Sequence, residues 1–261
     1  MKKITILFYA IWMAANMMAE PISTQNRNDL AHMTKSAADS LYMKENYKDA
    51  IKAYDYIIDN KGISPELYYN LGNCYYRTDS FALAILNYER ALKLDPSDAD
   101  IRTNLSLART KIKDKNPDNS GFFLVAWWKT FSNWLNINLW KAIGLICFIL
   151  CLSLWFIHHY QIIQSHRSIV KMFLYASLFI FILCNLAAYQ QYRTSTNDNS
   201  AIVMKESSIL KSSPTENSND LYVLHAGSRI KILDKSMEKW CEVKFGDDKE
   251  GWINKDDIEI I

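Results

Sequence analysis

Glycine and proline are scarce in this chain, seven and five among 261 residues. Phosphate-cradling loops need clustered glycines, and no P-loop, GxSxG or HExxH motif occurs. The sequence therefore offers no catalytic constellation and no cofactor signature, and the chain reads as non-enzymatic. The same scarcity argues against low complexity. Five cysteines are too few and too scattered for a disulfide framework, and no CxxC pair is present. His158, His159 and His166 fall close together, but no Cys, Asp or Glu completes a ligand set, so no metal site is expected. A charge excess is missing too: 30 Lys and Arg against 28 Asp and Glu, with no dense basic stripe, which excludes nucleic acid as a partner.

What is present is apolar and concentrated. Ala142–Ile157 and Met172–Tyr189 carry no proline and no internal charge. A bilayer core takes about 20 mostly apolar helical residues, so these runs predict transmembrane helices over 139–160 and 171–190. The alternative is a pair of buried helices in a soluble core. The link at 161–170 contains Arg167 and leads to Lys171 without an acid, which makes it the cytoplasmic turn. Cys147, Cys151 and Cys184 lie inside the spans. Cys74 falls on an expected helix and Cys241 on an expected strand, where each reads as a small buried side chain. Thiol chemistry at Cys74 or Cys241 is the competing reading.

Residues 1–19 have the form of an export signal: Lys2 and Lys3, an apolar stretch, then Ala14, Ala15 and Ala19. Met17 is a poor residue near that cut, so an uncleaved anchor is an open alternative. Either outcome exports the helical residues after it, and with two spans both soluble parts lie on the periplasmic side of a bacterial inner membrane.

Residues 30–114 repeat with a period of 34. Ala38 aligns with Gly72, Leu41 with Tyr75, Tyr47 with Phe81, Ala50 with Ala84, Ile51 with Ile85, and Tyr54 with Tyr88. The second unit carries Tyr68, Leu71, Gly72, Tyr75, Ala84, Tyr88, Ala91 and Pro96. This resembles the tetratricopeptide repeat (TPR) family, whose period is the same. The resemblance implies an α-helical solenoid of antiparallel pairs. Small residues there let helices approach, and a capping helix over 98–113 has a solvated far face bearing Arg102 and Arg109. It also implies a partner-binding groove on the first helix of each pair. By this alignment the groove presents Lys35, Asp39, Tyr42, Tyr69, Asn70, Asn73, Tyr76, Arg77, Thr103 and Asn104. A solvated face without a ligand is the bland alternative. Lys35 and Asn70 fit the carboxylate clamp of chaperone-type repeats, but Asp39 and Asp100 would repel a carboxylate, so a folded partner or internal segment is expected.

Residues 122–136 crowd Phe122, Phe123, Trp127, Trp128, Phe131 and Trp134 at helical spacings. They predict an interfacial helix on the lipid bilayer or an aromatic contact surface for a membrane partner.

Beyond the spans, at 201–261, the pattern turns to short strands: Ala201–Lys205, Arg229–Leu233, Lys239–Phe245 and Gly251–Ile253. Ile202, Leu210, Leu224, Ile230, Ile232, Trp240, Val243 and Trp252 are the expected core. Leu224-His225-Ala226-Gly227, Trp240 with Val243, and Gly251-Trp252-Ile253 resemble the bacterial SH3 domain. That resemblance implies a small all-β SH3-like barrel that binds proteins or cell-wall peptidoglycan.

The whole is multidomain. Its order of exported repeats, aromatic approach, transmembrane hairpin and terminal SH3 resembles the BatE-type proteins of the bacterial aerotolerance (Bat) operon. The resemblance implies a protein–protein interaction scaffold in envelope-stress tolerance. Its implied partners are von Willebrand A-domain membrane proteins and a MoxR-type AAA+ ATPase. The alternative is a peptidoglycan-binding anchor or sensor working through the SH3 segment.

Overall fold

Ser64 and Pro65 show how local sequence starts a helix here. The Ser64 hydroxyl accepts the Leu67 N–H at 3.2 Å and Pro65 takes the first helical position, where its missing N–H costs nothing. The computed structural model describes residues 34–114, 122–160, 167–196, 199–246 and 248–261. The expected export signal at 1–19 lies outside the described residues, as do most of the linker before the aromatic segment and the link at 161–166.

Two helices come first, α1 (Lys35–Met43) and α2 (Tyr47–Lys61). Ala38, Ala50 and Ala53 are fully buried, and the small side chains allow α1 and α2 to pack closely. In the turn between them Glu45 has φ +60°.

Residues 64–261 form a second compact unit. It opens with α3 (Pro65–Arg77), α4 (Phe81–Leu94) and α5 (Ala99–Arg109). Asp79, one period after Glu45, has φ +56° in the corresponding turn. Gly72 is required by contact: a Cβ there would lie 2.7 Å from two ring carbons of Tyr88. Ala84, Ile85, Tyr88, Ile101 and Leu105 fill the space between the three helices. The Asp98 carboxylate caps α5 through the Asp100 and Ile101 N–H groups, at 2.8 and 3.1 Å.

The aromatic segment is helical only as α6 (Phe123–Ser132), shorter than the expected 122–136: Asn133 caps its C-terminus, and the turn that follows leads to Asn136. Its side chain accepts the Leu139 N–H at 2.9 Å and starts α7 (Ile137–His159). The partner helix α8 runs from Arg167 to Thr196, so Arg167, expected in the link at 161–170, lies on the helix. Both α7 and α8 are long and apolar enough to cross a membrane, each containing a window of mean hydropathy 2.1. They pack side by side, with Gly144 facing the Cys184 Cβ.

An antiparallel sheet completes the chain: β1 (Ser200–Val203), β2 (Ser207–Lys211), β3 (Asp220–His225), β4 (Arg229–Asp234), β5 (Trp240–Phe245), β6 (Lys249–Asn254) and β7 (Ile258–Ile260). The strand order is β3-β2-β6-β5-β4-β1-β7. Leu210, Leu224, Ile230, Ile232 and Val243 are buried together as expected. Three expected core residues are placed otherwise. Alternation along β5 turns Cys241, Val243 and Phe245 inward, so Trp240 shares the outer face with Glu242 and Lys244. Register then puts Trp252 opposite Glu242 on that same face, and Ile253 takes the inward position. Ile202 is fully buried, but in the cluster that contains Ile85 and Tyr88 of α4.

Candidate interaction surfaces

The expected groove residues of the first helical pair lie within hydrogen-bond reach of one another. Lys35 pairs with Asp39 at 3.2 Å, and the Tyr54 hydroxyl of α2 donates to the Asp39 carboxylate. The Tyr42 ring packs edge-on against Tyr47.

In the second unit the structure brings Tyr69, Asn73 and Asn104 together. The Asn104 amide donates to the Tyr69 hydroxyl at 2.9 Å and to Asn73 Oδ1 at 3.0 Å. Asn73 Oδ1 also accepts from the Tyr88 hydroxyl at 2.7 Å. The result is a part-buried polar ladder from α3 to α5, held from beneath by α4. Tyr76 is drawn away by the Phe81 ring at 5.6 Å. Asn70 is partly exposed and Arg77 exposed on α3, while Thr103 bonds the Ala99 carbonyl in its own helix.

The capping helix departs from expectation. Arg109 is not on a solvated face: it pairs with Glu89, which is 4% exposed on α4. Arg102 folds back onto the Pro96 and Ser97 carbonyls at 2.5 and 3.1 Å. A carboxylate as buried as Glu89 needs its cations, and Arg229 on β4 supplies a second one at 3.8 Å.

A seam therefore joins the helices to the sheet. Asp114, just past α5, accepts the His225 N–H at 2.7 Å, the Ser228 hydroxyl at 2.8 Å, and lies 3.0 Å from His225 Nδ1. Burial pushes the Asp114 carboxyl up, but these hydrogen bonds and the imidazole outweigh it and hold it below its ordinary value. Lys113 Nζ lies 2.8 Å from the other ring nitrogen of His225, Nε2, so the ring is held between Asp114 and Lys113. Beside the seam opens a cleft of about 700 Å³, bordered by Phe81, Leu83, Ile112, Met204 and His225. The contact of Asp114 with His225 carried no sequence signal, because the two are 111 residues apart.

A third surface is the aromatic approach. Phe123, Val125 and Trp127 of α6 are exposed, while Trp128 and Phe131 turn inward onto Trp140. Gln191 of α8, 2% exposed, holds this elbow: its amide donates to the Ser132 carbonyl and, at 2.6 Å, to the Leu135 carbonyl. The Trp140 indole N–H also donates to Ser132, at 2.9 Å. Gln191 was not among the expected residues; a lone glutamine at a span end reads as flank.

Cys74 and Cys241 are both buried, and burial pushes the Cys241 thiol up, away from the nucleophilic thiolate. Among the described residues no cluster of three His, Cys, Asp or Glu is placed to hold a metal.

The tetratricopeptide repeat family model matches residues 65–98, which are α3, α4 and the turn after them. The bacterial SH3 domain model matches residues 206–259, which are β2 through β7. No curated protein matches the chain. Both matched families are interaction modules, and no enzymatic family is among the matches.

Proposed function

We propose that this chain is a membrane-anchored, periplasmic protein–protein interaction scaffold, acting in an envelope-stress complex of the aerotolerance type. The observation that carries this is the pairing of two interaction modules with two helices long and apolar enough to cross a membrane. In this reading α7 and α8 span the bilayer and the exposed aromatic side chains of α6 lie in its interface. The helical repeats form a short solenoid and the sheet a small SH3-like barrel. Restricting both to one membrane surface raises the local concentration of each for its partner, so weak single contacts suffice. The TPR surface of Tyr69, Asn70, Asn73, Arg77 and Asn104 takes a folded partner or internal segment, and the Lys35, Asp39 and Tyr42 face of the first pair is a contact surface in its own right. The partners are von Willebrand A-domain membrane proteins and a MoxR-type ATPase.

Crosslinking in intact cells, then capture through a tag inserted at exposed Asn217 and mass spectrometry, tests this. Recovery of those two protein classes supports the scaffold. Recovery of wall fragments or wall enzymes without them overturns it.

A second reading has its own observation. Trp240 and Trp252 are partly exposed on one outer face of the sheet, diagonal to each other across β5 and β6. Aromatic side chains so placed suit a cell-wall ligand better than a core role does. Loss of wall co-sedimentation in a Trp240→Ala, Trp252→Ala double variant of the full chain supports this reading, and failure of the unaltered chain to sediment with wall removes it.

A further inference from the structure

We infer that residues 64–114 and 200–261 are one discontinuous domain into which the apolar hairpin is inserted, so that α4 and the segment after α5 are an interaction surface whose partner is the chain's own sheet.

The seam is packed as a domain interior is. Ile202 and Ile261 are buried in the cluster of Ile85, Leu86 and Tyr88. The approach is close enough to exclude a side chain. A Cβ at Gly227 would meet Ile112 Cγ2 at 2.6 Å and Ile85 Cδ1 at 3.2 Å, so the β3–β4 turn touches both α4 and the segment after α5. Gly227 also has φ +90°, which a side chain would strain.

The polar contacts are spread along the whole seam. At one end Asp114 fastens to His225 and Ser228. In the middle Glu89 stands between Arg109 and Arg229. At the far end Arg90 donates to Glu259 and to the Ile260 carbonyl, both at 2.8 Å, and Lys93 donates to the Ile261 carbonyl at 2.8 Å. A casual contact between tethered modules would not pair a carboxylate as buried as Glu89 and flank it with polar contacts at both ends of the seam.

The docking elements also exceed the modules themselves. Strand β1 precedes the matched SH3 residues, and Ile112 and Asp114 come after the matched repeat. Asp114 is where the chain leaves for the hairpin. Ser200, 6% exposed and bonded to Ile261 and Arg229, is where it returns.

The experiment cuts the full chain, in detergent micelles, at protease sites inserted at 117 and 198, with the tag at Asn217. The helical and sheet pieces are then covalently separate. They are expected to co-elute and to be captured together. An Arg90→Glu, Lys93→Glu variant, altered at the seam and not in the helix core, is expected to weaken the association by about tenfold or more. Circular dichroism of each piece confirms that both keep their secondary structure. Separation of the unaltered pieces, or equal retention in both forms, overturns the inference. Should the variant lose helicity, Ser228→Ala on the sheet side replaces it, with the same two outcomes.

Discussion

The Tyr88 hydroxyl donates to Asn73 Oδ1 at 2.7 Å, and 34 residues earlier Tyr54 donates to Asp39. The repeat thus carries over a hydrogen bond as well as a packing pattern. Each bond runs from the second helix of a pair to the face expected to meet a partner. In the second pair it also presents Asn73 to Asn104.

Tyr88→Phe removes this donor while keeping the ring against Gly72. The expected loss is about 1 kcal/mol, the net worth of one such bond, read from urea denaturation followed by circular dichroism. The Asn73 carboxamide loses one of its two donors and is held less firmly, so crosslinking to a partner at this surface falls while the helical content is kept.

Gln191→Leu removes both donors that tie α6 to α8. The Leu135 carbonyl then has lost its side-chain partner, a cost of about 1–3 kcal/mol for a buried group. The expected result is a red shift of tryptophan emission in micelles, as Trp128 and Trp140 gain solvent, with unchanged helical content of the spans. An unshifted spectrum would show that packing around Trp140 alone holds the elbow.

The Asp114 carboxyl titrates below its ordinary value in the folded chain. Its contribution to the seam is complete above the unfolded value of about 4 and is lost as pH falls through that value and on through the folded one. The groups facing it are the imidazole and N–H of His225 and the hydroxyl of Ser228, with Lys113 on the far side of the ring. Association of the two cut pieces should therefore weaken more steeply below about pH 4 in the native chain than in Asp114→Asn, whose association is weaker at pH 7.

Cys74 and Cys241 should resist iodoacetamide at neutral pH in the native chain and react once it is unfolded in denaturant. Burial of both side chains, and the raised Cys241 thiol, set this expectation. Rapid native labelling of either would revive thiol chemistry as a function.

Short-range pattern made much of this architecture legible. The 34-residue period gave the helical pairs because the same small and large residues recur where helices meet, as at Gly72 and Tyr88. Charge-free runs gave α7 and α8. The tryptophans misled, because size argued for the core while alternation with Cys241, Val243 and Phe245 placed Trp240 outside. Arg109 misled too: an arginine on a terminal helix reads as solvated unless its partner, here Glu89, is known to be buried. The seam left no local trace. Its partners come from segments separated by the hairpin: Asp114 is unremarkable in its own neighbourhood, and the segment of His225 and Gly227 signalled a strand and turn but not the helices it meets.

The fit of Gly227 against Ile85 and Ile112 also sets an order of events during synthesis. The helical half of the seam leaves the ribosome first, then both apolar helices, and only afterwards the strands. Until then Ile85 and the Glu89 carboxylate have no sheet to cover them. On the proposed reading of α7 and α8 as membrane spans, the nascent helices stay uncovered for as long as the hairpin takes to reach the bilayer, and closure of the seam becomes a report that delivery has been completed.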